Sequence, residues 1–504
     1  MKKSLFRILI LASLVLLPLF GAAPALAQTP GFWTGNGSEV VELTYTLSAA
    51  TAGFCFDFLR SADTTADVGD TLLSQYCVGA MGAGTYTLML TLGTDMDLVT
   101  DATEVTTDYY LLADYFENTY VFEGVYQYTP FTDTAVFVHG TDGADNIYIN
   151  GTGVNLNGAP SGQHNQISSF RVRAHAGDDL VDGYWGAPGA STFVLGAAGD
   201  DTLKPSYYGA ILLDGGVGTD TFSVNYSAIT LEINLNTGFA GWGPYHANLA
   251  NIENAVGGSA ADRITGDGNN NVLDGQGGAD IIYGFGGNDT LLGGPGYDSM
   301  WGGDGDDIIR AMQDGAQMWG DAGNDSIRGS DVADLMMGGD GDDDLWPALG
   351  ADTIRGDAGV DTVDFFHPFQ AGGVYVDLSA KTATDQGGAV DAISTVENVL
   401  GTPFADFIQG DWAANFISGR AGNDELFGLA NNDVIWGGPG ADIVDGGLGA
   451  GDDILYGNDP TCVDDLAVDF LFGGGGVNDQ GWAAIASPAP DTVDPTVEFV
   501  FPCP

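Results

Sequence analysis

From Gly257 to Asp364 the chain divides into twelve consecutive nine-residue units without a gap, and five more run from Gly401 to Asp445. The unit Gly302–Arg310 reads GGDGDDIIR. Its glycines allow backbone angles closed to other residues, so the first six positions can form a tight turn. The last three form a short strand, whose middle side chain points away from its two neighbours. In the twelve-unit block that middle position is Ile264, Leu273, Ile282, Leu291, Met300, Ile309, Met318, Ile327, Met336, Leu345, Ile354 and Val363, apolar throughout. A three-residue strand between glycine-rich turns cannot offset its own ordering entropy. Stacking turn on turn buries a continuous apolar column, and the period therefore predicts an all-β, parallel solenoid.

Two units make one coil, with two strands and two turns. Units 18 residues apart then sit directly above one another, Asp280 under Asp298 and Asp289 under Asp307. Adjacent strands lie about 4.8 Å apart, so bare carboxylates at that spacing repel by about 1 kcal/mol or more per pair. Composition sharpens the problem: 69 acids face 13 bases, for a formal net charge of −56. Only ten of the acids are Glu. Asp is the short carboxylate that suits tight turns and oxygen-ligand cages. A dication between the layers turns the repulsion into binding, and carboxylates with turn carbonyls are hard donors that suit Ca²⁺. Zn²⁺ matches poorly, because His and Cys are absent from these repeats. Nucleic acid is an unsuitable partner for so acidic a chain, since phosphate binding needs clustered Lys and Arg.

These units resemble the repeats-in-toxin (RTX) calcium-binding β-roll family, with consensus GGxGxDxUx, where U is a large apolar residue. The resemblance covers Gly257–Asp364 and Gly401–Tyr456 strongly, and His139–Ser223 in irregular form. It implies that turn Asp side chains and turn carbonyls of stacked coils hold Ca²⁺. Carried over by position, the implied ligands are Asp262, Asp280, Asp289, Asp298, Asp307, Asp325, Asp334, Asp343, Asp352, Asp361, Asp406, Asp424, Asp433, Asp442 and Asp453. The unit Ala311–Trp319 departs from the pattern, with Ala316 in place of Asp. The roll is expected to pass through it on Met318 with a weakened metal site. Asn271 and Asn415 replace Asp near the two block starts, where a neutral amide should bind Ca²⁺ less well.

The expected organisation is a signal peptide at 1–27, a small β-sandwich-like domain at 28–138 and degenerate repeats at 139–223. A β-rich insert at 224–256, the twelve-unit roll at 257–364, a second insert at 365–400, a second roll at 401–457 and a Pro-containing cap at 458–504 complete it. Lys2, Lys3 and Arg7, the apolar run Ile8–Phe20 and Ala25-Leu26-Ala27 read as an export signal, hence a secreted protein. The run is too short to span a membrane comfortably. The inserts resemble each other: ANIENAV, Ala250–Val256, parallels STVENVL, Ser394–Leu400, as in an internal duplication. Cys55, Cys77, Cys462 and Cys503 suit disulfides in an exported protein, with Cys55–Cys77 and Cys462–Cys503 the economical pairing among three connectivities.

The ninth position of alternate units reads Tyr283, Trp301, Trp319, Met337, Arg355. Such a stripe covers the sheet or, through Tyr283, Trp301 and Trp319, grips a glycan or surface protein. No HExxH or GxSxG signature occurs, and the five His residues are scattered singly. The sequence therefore points to an exported calcium-binding protein with a structural, surface or adhesion role that folds on Ca²⁺. The alternative is a secreted hydrolase whose catalytic part lies in 31–256, with the rolls as a folding module.

Overall fold

In the computed structural model the chain is all-β, with no helix among the described residues. Those residues are 228–369, 371–385 and 387–448 and, with short gaps, 144–224 and 451–502; before 144 only backbone strands are described. Residues 1–27, the sulfur pairing of the four cysteines and the packing of the 28–138 region lie outside the described residues. In that region, Phe54–Ser61 pairs antiparallel with Thr71–Val78, with Cys55 opposite Cys77 along the backbone. The chain forms two compact units, one of residues 1–220 with 245–251 and the other of 221–244 with 252–504.

The second unit contains both regular repeat blocks. Each strand pairs in parallel with the strand two units away, and the offset is the anticipated 18 residues. One sheet aligns Ile282, Met300, Met318, Met336 and Ile354. The other aligns Leu291, Ile309, Ile327, Leu345 and Val363. All of these side chains are fully buried, so the two ladders form the core. The alternation follows from the pleat, which sends the flanking residues of each triplet outward.

The column does not end at Asp364. Ile354 aligns with Ile393, and Val363 with Val399, so residues 390–400 complete the next coil. The remainder of the insert forms a meander in the same sheet. Val390–Ser394 pairs antiparallel with Thr382–Thr384, which pairs antiparallel with Tyr375–Asp377. Tyr375–Asp377 then pairs in parallel with Phe407–Gln409, where the second block begins. The two blocks are thus one continuous stack. Around the first insert the same device recurs, with Leu231–Asn234 antiparallel to Phe239–Trp242 and parallel to Arg263–Thr265. Stacking also continues beyond Tyr456: Leu455 aligns with Gly481 and Val444 with Leu471, and both sheets gain a further strand.

The first unit repeats the architecture with longer coils. Ser169–Ala176, Ser191–Ala198 and Leu212–Val217 pair in parallel, as do Asn146–Gly151, Leu180–Gly186 and Thr202–Lys204.

The outward stripe forms a ring stack. Tyr283 and Trp301 lie 4.7 Å apart at 11°, and Trp301 and Trp319 4.5 Å apart at 1°. Both faces of Trp301 are covered by its neighbours, which ties successive coils together.

Candidate metal centre

Position six of the repeat is where the fold concentrates its chemistry. At Asp280, Asp289, Asp298, Asp307, Asp325, Asp343, Asp352, Asp361, Asp424 and Asp433 the side chain is buried between coils. One oxygen of each, Oδ1, accepts a backbone N–H from position six of the coil before. Asp289 N–H donates to Asp307 at 2.7 Å, Asp307 to Asp325 at 2.8 Å and Asp325 to Asp343 at 2.8 Å. The other oxygen, Oδ2, is buried and has no hydrogen-bond partner in any of the ten. A buried acceptor left unsatisfied is costly, and an ionised one more so.

The electrostatics record that cost. Burial pushes Asp280, Asp289, Asp325, Asp343 and Asp424 up to about 7 from an ordinary 3.8, opposed by the backbone hydrogen bond and reinforced by neighbouring carboxylates. Asp352 and Asp433 are driven to about 8 by the same causes. The ion pairs of Arg355 with Asp357 and Arg420 with Asp364 involve none of these ten aspartates.

In nine of the ten, all but Asp352, whose unit begins with Pro347, Oδ2 faces the first glycine of its own turn. A Cβ on Gly302 would run into Asp307 Oδ2 and would come within 2.8 Å of the Gly320 carbonyl oxygen of the next coil. The same pairing recurs at Gly275 with Asp280 and Gly293, and at Gly428 with Asp433 and Gly446. Glycine is required here because any side chain would fill the space where a carboxylate and a carbonyl oxygen converge. Among the described residues no three His, Cys, Asp or Glu side chains cluster as a metal site. A cation at such a turn would meet an Oδ2 carboxylate oxygen and a main-chain carbonyl, as at Asp307 with Gly320. That all-oxygen donor set fits Ca²⁺ and not Zn²⁺.

Three of the expected residues stand differently. Asp262 Oδ2 accepts the Gly258 N–H at 2.7 Å, Asp334 Oδ2 the Ser330 N–H at 2.6 Å, and Asp406 Oδ2 the Thr402 N–H at 2.7 Å. Both oxygens of each are satisfied, because Oδ1 accepts the N–H of Leu231, Ala316 and Val374 respectively. Asn271 and Asn415 close their turns in the same way, accepting the Asp267 and Asp411 N–H at 2.8 and 2.9 Å. Their Nδ2 groups donate to the carbonyls of Glu253 and Glu397. An amide thus supplies its own donor to a carbonyl that would otherwise face a bare carboxylate. Asp442 and Asp453 continue the ladder, Asp442 Oδ1 accepting from Asp424 and Asp453 Oδ1 from Asp433, both at 2.9 Å. The unit Ala311–Trp319 stays in the stack, with Met318 fully buried, and its Ala316 brings no carboxylate.

The fold adds acids that repeat counting passes over. Asp391 and Glu397 accept the N–H of Asp352 and Asp361 at 2.9 and 3.0 Å. Asp469, Asp479 and Asp491 extend the ladder past the last regular unit. In the first unit Asp179 accepts from Asp145, Asp201 from Asp179 and Asp220 from Asp201, at 2.6, 2.9 and 2.8 Å. Each of these Asp residues except Asp479 opens an Asp-x-apolar triplet, as in Asp391-Ala392-Ile393 and Asp469-Phe470-Leu471. That triplet was the available signal, hidden because the coils between are not 18 residues long.

The family model for the RTX calcium-binding nonapeptide repeat matches residues 256–284, 283–314, 319–354, 348–365, 394–426 and 418–450. The chain carries RTX calcium-binding repeats. The matched segments lie in the regular stack of the second unit, so the parallel solenoid expected from the period is observed, and it is consistent with the RTX β-roll that the resemblance implied. No curated protein matches the chain.

Proposed function

We propose that the chain is an exported protein whose RTX turns take up several Ca²⁺ ions through Asp280, Asp289, Asp298, Asp307, Asp325, Asp343, Asp352, Asp361, Asp424 and Asp433, with Asp442 and Asp453 at the same position. The observation that carries this reading is the row of ten buried carboxylate oxygens without a hydrogen-bond partner. A dication supplies the positive charge that the chain, at net −56, lacks. The chain's own part is to hold Oδ2 and the turn carbonyls in place, while the Oδ1 bonds fix each carboxylate to the coil before. Binding and folding are then one event, since the unfolded chain presents no preformed site.

An acidic stack whose aromatic stripe is engaged in stacking on itself supports a structural or surface role. The glycan reading of Tyr283, Trp301 and Trp319 loses support from the covered faces of Trp301. Titration calorimetry with Ca²⁺ on the calcium-stripped chain, followed by far-UV circular dichroism, tests the proposal. Uptake of several ions with a gain of β signal is expected; no uptake at millimolar Ca²⁺ refutes it.

A further inference from the structure

The turns of the RTX stack are of two kinds, and the fourth residue separates them. Where Oδ2 of position six has no partner, position four is left-handed: Gly278 at φ 129°, Gly287 at 98°, Gly305 at 137° and Asn431 at 68°. Position two is left-handed in the same turns, as at Phe285 with φ 81°. Where position six instead accepts the position-two N–H, position four is Ala260, Asn269, Val332, Phe404 or Ala413, and none of the five has positive φ. Position four is Gly in nine of the ten open turns and in none of the five closed ones, and Gly takes left-handed backbone without steric cost.

We propose that this turn conformation, rather than the presence of Asp, decides which coils receive a cation: Asp262, Asp334 and Asp406 belong to turns closed without metal, and Asp179 and Asp201, outside the matched repeats, belong to open ones. The inference rests on the calcium reading above. In a closed turn the position-two N–H already satisfies Oδ2, and its partial positive charge stands where a cation would be needed. A cation there must displace a charge-assisted hydrogen bond, which weakens binding about tenfold or more. Asp179 and Asp201 meet the open criterion. Gly177 and Gly199, two residues before them, have φ of 117° and 133°. Their side chains are 2% and 1% exposed, and each Oδ2 is buried without a hydrogen-bond partner.

The arrangement along the chain has a consequence. Closed turns open both regular blocks, at residues 257–274 and again at 401–418, so each block starts on coils that hold their shape without an ion. One edge then keeps an unbroken open run, Asp289, Asp307, Asp325, Asp343 and Asp361. The other edge is interrupted at Ala316 and Asp334.

Equilibrium dialysis with radiolabelled Ca²⁺ on the full chain tests the rule, with circular dichroism in saturating Ca²⁺ confirming that each variant folds. Asp334→Asn is expected to keep the wild-type number of ions, and Asp307→Asn and Asp201→Asn to lower it. Equal losses from Asp334→Asn and Asp307→Asn, or no loss from Asp201→Asn, overturn the inference. Should Asp334→Asn fail to fold, Val332→Gly asks the same question with every carboxylate in place: a higher ion number is expected, and an unchanged one overturns the rule. A wild-type chain that binds no Ca²⁺ refutes the calcium reading itself, a result distinct from both.

Discussion

Mild acid should do part of what calcium does. In the fold Asp280, Asp289, Asp325, Asp343 and Asp424 titrate at about 7, against 3.8 in a flexible chain. Because the folded value is the higher one, the folded chain holds more protons between those limits. The stability so gained is fully present below the ordinary value and is lost as pH rises through the folded value. For a calcium-stripped chain taken from about pH 5 to about pH 8, each such carboxylate withdraws about 3 kcal/mol. These side chains are almost wholly buried, so little of that is screened. Three of them together offset about 8 kcal/mol, comparable with the whole stability of a typical domain, about 5–15 kcal/mol. The stripped chain is therefore expected to be folded near pH 5 and largely unfolded near pH 8. With millimolar Ca²⁺ present, the folded signal should persist at the higher pH, because the ionised carboxylates are then neutralised. Far-UV circular dichroism and tryptophan emission across a pH series, with and without Ca²⁺, read this directly. A stripped chain as well folded at pH 8 as at pH 5 would refute the account of the buried carboxylates.

Other expectations concern the core and the turns. Ile309→Ala removes a fully buried side chain from the middle of a ladder and should cost about 2–5 kcal/mol in denaturant unfolding under Ca²⁺. Gly305→Ala places a Cβ against the Gly287 carbonyl oxygen at a φ of 137°, so a loss of about 1–3 kcal/mol or more is expected by the same measurement. Trp301→Ala breaks two ring stacks and should lower stability by about 1–3 kcal/mol, two pairs at about 0.5–1.5 kcal/mol each. Its Ca²⁺ stoichiometry, by calorimetry, should not change.

The period of nine determined the most about this chain. A tight turn, a three-residue strand and one inward side chain follow from local geometry, and an 18-residue coil is the arrangement that buries every such side chain. So Ile282 over Met300 and Leu291 over Ile309 were legible before any coordinates, as was the passage of the stack through Met318. The Asp column was legible for the same reason. What the tertiary structure decided lies where coils are not of one length. Residues 365–400 read as an interruption, yet Ile393 and Val399 hold the next places in the two ladders and the rest turns back as a meander. Sheet hydrogen bonding is indifferent to how much chain separates two strands, so a period finds only equal coils. Asp391, Glu397 and Asp469 were missed on that ground, and the degenerate repeats at 139–223 were recognised without their Asp residues being placed among the implied ligands. The sequence carried the difference between the two kinds of turn in the fourth residue, Gly305 against Val332, but not its consequence, that Asp334 Oδ2 meets an N–H while Asp307 Oδ2 stays bare. Whether the oxygen meets an N–H or stays bare depends on the backbone angles of the turn, and those are set jointly by the fourth residue and the coil stacked against it.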